Sequence, residues 1–304
     1  MKAEEQARAD IVEVGRRLWE RGYVASNDGN ISVRLDEHRL ITTPKSVSKG
    51  FMTPDMMVIT DLEGRKIAGE RDPSSELKMH LEVYRNRPDA RAVVHAHPPT
   101  ATGFAVAGIP LDRAVLAEVI TTLGSIPIAE YATPSTQELP DVVRKYVKAH
   151  DGILLANHGA LAIAGDVMSA YYRMETIEHF AKISLVAHTL GRENLLSRDE
   201  VTRLQGLRGM YGITSPAPIC TDDSNPSTGG QLDCQVLQAP ESGERLNPRN
   251  VSVPSAAPFD SRSGSPAHPS ARSGQAGVSA PEGEIRLTYR ELTALIEDAL
   301  RALK

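Results

Sequence analysis

Val93-Val94-His95-Ala96-His97-Pro98-Pro99 is an apolar run that ends in two histidines and a proline pair. Alternate residues of a strand point to one face, so His95 and His97 project together near its end. The prolines cannot donate to a sheet ladder, so pairing stops there and both imidazoles sit at a rim. Further along, Ile153 to Ala156 is another strand-like run, and Asn157-His158-Gly159 follows it as a second strand-end turn. Three neutral imidazoles with an open fourth position suit a catalytic zinc or a similar divalent metal. The competing reading is a set of rim histidines hydrogen-bonded to nearby backbone.

Elements around this run alternate between helix and strand. Ile11, Val14, Leu18 and Trp19 mark an N-terminal helix that ends near Gly22. Residues 31–35, 40–43, 57–61 and 90–97 read as short strands, and 167–190 as a long helix. Pro73-Ser74-Ser75-Glu76 opens a helix whose inner face carries Leu77, Leu81 and Tyr84. His80 lies one turn beyond Glu76 and is read as sharing its helix face. The mixture predicts a layered α/β domain, with strand order left open.

Composition narrows the function classes. With 40% hydrophobic and 24% charged residues in a chain of 304, a substantial core is available. A net charge of −5 does not fit a dedicated nucleic-acid binder. No apolar run approaches the roughly 20 residues that span a bilayer. Residues 1–10 have no secretion-type apolar segment, so a cytoplasmic location is expected. Cys220 and Cys234 are too few for a disulfide framework and are read as a reduced pair.

Polar loops beside the histidines point to an anionic substrate. Ser74 and Ser75 bring hydroxyls to a helix N-terminus, where unpaired amides favour phosphate. Glu76 follows them, and taken alone is an ordinary first-turn carboxylate favoured by the helix dipole. Thr43-Pro44-Lys45-Ser46-Val47-Ser48-Lys49-Gly50 supplies a cation and further donors. Ser26-Asn27-Asp28-Gly29-Asn30-Ile31-Ser32 has the glycine and asparagines expected where backbone approaches a ligand closely. Each loop alone is an ordinary turn.

In chain order, Gly29-Asn30-x-Ser32, the Thr43-Pro44 loop, Ser74-Ser75-Glu76, His95-x-His97-Pro98 and Asn157-His158-Gly159 resemble the class II aldolase/adducin family. The resemblance runs from about residue 5 to residue 213. It implies a three-layer α/β/α domain around a largely antiparallel sheet, usually assembled as a four-fold symmetric homotetramer. It implies His95, His97 and His158 as ligands of one Zn2+ or another divalent metal. Asn30, Lys45, Ser46, Ser74 and Ser75 would hold the substrate phosphate, and Glu76 stands at the family's acid/base position.

The function so implied is a class II aldehyde-lyase acting on a phosphorylated sugar. It would cleave a (deoxy)ketose 1-phosphate, such as L-fuculose or L-rhamnulose 1-phosphate, to dihydroxyacetone phosphate and lactaldehyde or another aldehyde. The alternatives are a 4-epimerase or dehydratase of related sugar phosphates, and a non-catalytic adducin-like binding protein. Epimerases of this pattern typically carry Asp after the paired serines, so Glu76 favours the aldolase. Two departures stand out. The family loop is usually Thr-Pro-Ser/Thr-Gly, whereas Lys45 and Ser46 follow Thr43-Pro44 here. The aldehyde-side tyrosine expected between the His95 and Tyr131 segments is missing, while Tyr211 matches a second tyrosine that reaches a neighbouring subunit's site; it is read as a proton donor, with a helix-end aromatic packing on the body as the alternative.

Composition changes near residue 214. Residues 215–284 hold 10 Pro, 12 Ser and 7 Gly and read as a disordered linker, leaving 1–214 as the catalytic domain. Residues 285–304 regain order in this reading. Thr288 and Glu291 have capping-box spacing, and Leu292, Leu295, Ile296, Ala299, Leu300 and Leu303 form one apolar stripe. A tether followed by such a helix resembles the encapsulation peptides of bacterial microcompartment enzymes. Docking to shell or cargo proteins through 285–304 is the expectation, with a helix packing on its own body as the alternative.

Overall fold

The computed structural model describes residues 3–213 and Ser215. Helix α1 (Ala3–Glu20) realises the first apolar stripe and buries Ala7, Ile11, Val14 and Leu18. Four short strands follow: β1 (Asn30–Arg34), β2 (Leu40–Thr42), β3 (Val58–Thr60) and β4 (Lys66–Ala68), each antiparallel to the one before. Helix α2 (Leu77–Asn86) leads into β5 (Ala92–Ala96), and α3 (Pro99–Ala107) begins at the proline pair. Then come α4 (Ala117–Thr122), β6 (Ile128–Ala129), α5 (Glu138–Val147), β7 (Gly152–Leu155) and β8 (Gly159–Ala164). The long helix is α6 (Val167–Thr189), followed by α7 (Arg198–Leu207).

All eight strands form one sheet in the order β4-β3-β2-β1-β5-β8-β7-β6, and only the β6–β7 pair is parallel. Its central strands are covered on both faces. Ala92, Val94 and Ala96 of β5, with Ala160, Ala162 and Ala164 of β8, pack against α1, α3 and α6. Val93, Ile153, Leu155, Leu161 and Ile163 on the opposite face pack against α2 and α5. The result is the three-layer α/β/α domain with a largely antiparallel sheet that the resemblance implied. Alanines on the first face leave room for Met174, Ile177 and Phe180 of α6, all buried there.

One expectation needs correction. Gly159 was read as the turn after a strand, but it is the first residue of β8, which lies between β5 and β7. Sequence periodicity hides this strand because both its faces are buried and three of its six residues are alanine.

The body extends through Ser215, where a buried ionic cluster secures the chain. Arg208 donates to the Ile120 carbonyl (3.0 Å), the Ser215 carbonyl (3.0 Å) and Ser215 Oγ (3.1 Å). Ser215 Oγ in turn donates to Asp151 Oδ2 (2.7 Å). Asp151 also pairs with Arg87 (2.9 Å) and Arg173 (3.2 Å). Of the tether expected over 215–284 only Ser215 is described, and the helix expected over 285–304 lies outside the described residues, as do Cys220 and Cys234.

Asp151 is the one carboxylate in this cluster that faces Arg87, Arg173 and the Ser215 hydroxyl together. Removing it takes one of two carboxylates from Arg87 and the paired carboxylate from Arg173, and breaking a buried pair typically costs about 3–5 kcal/mol. Asp151→Ala is therefore expected to lose about that much stability in urea denaturation. A loss below about 1 kcal/mol would show that the cluster is not a structural anchor.

Candidate active site

Strand order converges the site residues. Asn30 pairs with His95 across β1–β5, and Ala96 pairs with Ala160 across β5–β8. The ends of three strands therefore meet at one rim. Between β7 and β8 the chain turns through Ala156-Asn157-His158, with His158 N donating to the Leu155 carbonyl (3.0 Å). Asn157 takes the left-handed conformation of such short connections (φ 55°), which asparagine tolerates well. This hairpin carries His158 to the other two imidazoles.

The three ring centroids are 4.7, 4.9 and 5.0 Å apart, and one ligating nitrogen from each lies within 4.8 Å of the others. Hydrogen bonds fix two of the tautomers. His95 Nδ1 lies 2.9 Å from the Ala160 carbonyl oxygen, which can only accept, so Nδ1 carries the hydrogen. His97 Nδ1 faces the Asp28 carboxylate at 3.3 Å and is protonated for the same reason. Both Nε2 atoms are then bare lone pairs, and they face each other at 3.1 Å. Burial pushes His95 well below the usual imidazole range and also lowers His97, so both rings are neutral at pH 7.

A divalent cation fits this arrangement. Zinc–nitrogen bonds of about 2.0–2.1 Å at tetrahedral angles separate two ligand nitrogens by about 3.3 Å. The carbonyl and carboxylate behind the rings are the outer partners that orient metal-bound imidazoles. His158, whose Nε2 is turned to the same rim, completes a three-nitrogen set.

Glu76 closes over the imidazoles. It occupies the N-cap position of α2 but makes no side-chain cap. Its carboxylate instead accepts from Asn30 Nδ2 (2.7 Å) and lies 3.4 Å from His95 Nε2 and 3.2 Å from His158 Nε2. That separates it from an ordinary first-turn carboxylate. Burial alone would raise its pKa, but hydrogen bonds from His158 and the Asn30 amide hold it below the usual carboxylate range.

Beside this centre is a cleft of about 290 Å³. Asn30, Lys45, Ser46, Ser74, Ser75, Glu76, His97 and His158, all expected at the site, line it. The two phosphate-type loops are joined by backbone bonds from Lys45 N to the Asp72 carbonyl (2.9 Å) and from Ser74 N to the Thr43 carbonyl (3.2 Å). Ser74 Oγ accepts from Glu76 N (3.3 Å), which leaves its hydroxyl hydrogen for an anion. Ser46, which stands where the resembling family has glycine, keeps the left-handed conformation (φ 59°).

Sequence reasoning assigned no role to three further residues. Asp28 and Lys49 fell inside quoted loops, but each has a partner distant in sequence, His97 for Asp28 and Asn27 for Lys49. Lys49 is almost fully buried, with Nζ donating to the Asn27 carbonyl (3.1 Å) and the Val47 carbonyl (2.6 Å), and burial pulls its pKa down to about 8. It ties together the two loops that frame the cleft. Ser135, also left-handed (φ 65°), lines the cleft from the turn before α5 and carried no readable signal. Tyr211 behaves differently from the other expected site residues. It ends a short turn (Arg208–Tyr211), is 64% exposed, and does not line the cleft of its own chain.

Residues 9–185 match the family described as the Class II Aldolase and Adducin N-terminal domain. A 5-deoxy-D-ribulose 1-phosphate aldolase from Bacillus thuringiensis serovar kurstaki is 35% identical over 210 residues, covering 68% of this chain and 98% of the relative. A 3-oxo-tetronate 4-phosphate decarboxylase from Pectobacterium atrosepticum is 30% identical over 210 residues, covering 67% and 94%. Among solved structures, an L-fuculose 1-phosphate aldolase superposes with a TM-score of 0.63 at 31% identity, covering 68% of this chain and 97% of that one.

The imidazole cluster tolerates no side chain at Gly159. A Cβ there would lie 2.5 Å from His97 Cδ2 and 2.6 Å from the Ala96 carbonyl. Gly159→Ala should therefore displace His97 and weaken zinc binding about 10–100-fold, as loss of ligand orientation typically does. Competition titration with a chromogenic chelator measures this, and an unchanged affinity would contradict the three-histidine site.

Proposed function

The chain belongs to the class II aldolase and adducin family, and from that premise we propose that it cleaves a ketose 1-phosphate to dihydroxyacetone phosphate and an aldehyde. The observation that carries this reading is Glu76, partly buried against His95 and His158 of the three convergent imidazoles, at the mouth of a cleft lined by serines and lysine. A divalent metal held by His95, His97 and His158 would supply a positive charge to the ketose oxygens as negative charge develops there.

The protein's own side chains do the rest. Lys45, Ser46, Ser74 and Ser75 bind and orient the phosphate. As the carbon–carbon bond breaks, the hydroxyl of the departing half gives up its proton and becomes the aldehyde carbonyl, while the ketose half keeps the electron pair and must gain a proton at carbon. Glu76 takes up the released proton and delivers it to the carbon, with Asn30 holding Oε2 and His158 Nε2 facing Oε1 at 3.2 Å. Retention of all three histidines and Glu76 favours an enzyme over an adducin-like scaffold, which needs neither. The similarity to a decarboxylase favours a second reading, because loss of carbon dioxide also leaves an electron pair beside a carbonyl. Tyr211, exposed at the end of the body, would serve the cleft of a neighbouring copy in a homotetramer.

Two measurements test this. Glu76→Gln should lower kcat by about 10²–10⁴-fold while bound zinc remains at the wild-type level. Turnover above a tenth of wild type would remove Glu76 from proton transfer. Purified enzyme assayed over fuculose, rhamnulose, 5-deoxyribulose and 3-oxo-tetronate phosphates should release dihydroxyacetone phosphate from a ketose 1-phosphate, and chelator treatment should abolish that release. Carbon dioxide from the oxo-acid alone would establish the second reading instead.

A further inference from the structure

Behind Glu76, the contact between β1 and α2 holds a second row of polar groups. Asn30 and Ser32 alternate onto one face of β1. Glu76, His80 and Tyr84 recur every four residues along one face of α2 and its cap. The rows pair in step, Asn30 with Glu76 and Ser32 with both His80 and Tyr84. Ser32, His80 and Tyr84 are each at most 3% exposed.

Counting hydrogens fixes the state of His80. Tyr84 Oη lies 2.9 Å from the Ser32 carbonyl oxygen, which only accepts, so the phenol hydrogen goes there. The 2.8 Å contact between Tyr84 Oη and Ser32 Oγ must then use the serine hydrogen. None remains for the 2.7 Å contact between Ser32 Oγ and His80 Nδ1, so His80 donates from Nδ1. Its Nε2 is left as a bare lone pair, and that atom is buried with no partner among the described residues. Burial lowers the His80 pKa to about 4, in keeping with a neutral ring.

We propose that His80, donating from Nδ1 to Ser32, is a positioning residue that sets the seating of α2 on β1 and so holds Glu76 against Asn30 and the imidazole cluster. The proposal rests on the reading of Glu76 as the proton carrier. An apolar side chain at position 80 would fill the space without fixing the helix along its axis, because dispersion contacts are not directional. A directional bond one turn from Glu76 fixes it. A core selected for stability alone would not leave an unpaired buried nitrogen.

The test compares three variants of the full chain. In His80→Asn the amide N–H replaces Nδ1, whereas in His80→Gln it falls nearer the position of Nε2. His80→Leu removes the donor. The asparagine variant should keep kcat within about threefold of wild type. The glutamine and leucine variants should lose about 10–100-fold in kcat, with KM within about twofold and bound zinc unchanged. Near-ultraviolet circular dichroism below the melting transition confirms that each variant is folded. Full turnover in His80→Leu, or equal losses in the asparagine and glutamine variants, would overturn the proposal. Nitrogen-15 spectra of histidine-labelled wild type provide a readout independent of activity: His80 should be protonated at Nδ1, and protonation at Nε2 overturns the assignment. Turnover in Glu76→Gln would instead overturn the proton-carrier reading while leaving the tautomer result standing.

Discussion

Two nitrogen lone pairs aimed at each other across 3.1 Å repel, and the surroundings of His95 and His97 hold them in that arrangement. The Ala160 carbonyl and the Asp28 carboxylate each claim the hydrogen on the far side of a ring. Neither imidazole can relieve the repulsion by exchanging its tautomer without losing an outer hydrogen bond. Sheet pairing removes the other escape, because His95 is locked between Asn30 and Leu161 in the ladder. A divalent cation held by His95, His97 and His158 would relieve that repulsion. The strand order that places β1 and β8 on either side of β5 is thus the architectural condition for the chemistry.

The cleft beside that centre is built from backbone conformations that L-residues rarely adopt. Ser46 and Ser135 are both left-handed and both line it, while left-handed Asn157 precedes His158. Such conformations cost of order 1–3 kcal/mol each and persist where the surroundings over-determine them. At Ser46 the surroundings are plain. The Thr43–Ser46 turn is bonded to the Asp72–Ser74 turn on one side, and the buried Lys49 ammonium draws the Val47 and Asn27 carbonyls together on the other. A hydroxyl thereby stands where glycine would offer only backbone, adding a donor to the cleft.

Much of this was legible in the sequence, for identifiable reasons. The His95-x-His97 spacing needs only the two-residue period of a strand, and Pro98-Pro99 marks where that strand stops. Glu76 was legible because two serines preceded it. Asp28 was not: it lies 69 positions before His97, and nothing local distinguishes it from a turn aspartate. Lys45 was the expected cation and does line the cleft, but the neighbouring Lys49 is the buried one. Residue type alone does not say which of two lysines four positions apart turns inward. β8 escaped notice because an alanine-rich strand buried on both faces has no polar alternation to reveal it.

The two faces of the sheet divide the labour. On the face covered by α1, α3 and α6, the β5 and β8 side chains are apolar, and Glu178 of α6 adds two bonds from the first turn of α3. On the other face, apolar packing of α2 and α5 gives way toward the strand ends to Asn30, Ser32, His95, Glu76, His80 and Tyr84. Placing that many polar groups in one buried seam weakens the layer unless each is bonded, since an unpaired buried group costs about 1–3 kcal/mol. The seam is stable because strand and helix periods coincide there: two residues along β1 span about 6.6 Å and four along α2 about 6 Å. Successive polar pairs therefore stay opposite one another. A one-residue slip of β1 would turn Asn30 and Ser32 away from α2 and remove the partners that hold Glu76 by the imidazoles. Fold register and site geometry are consequently one constraint, enforced by the same side chains.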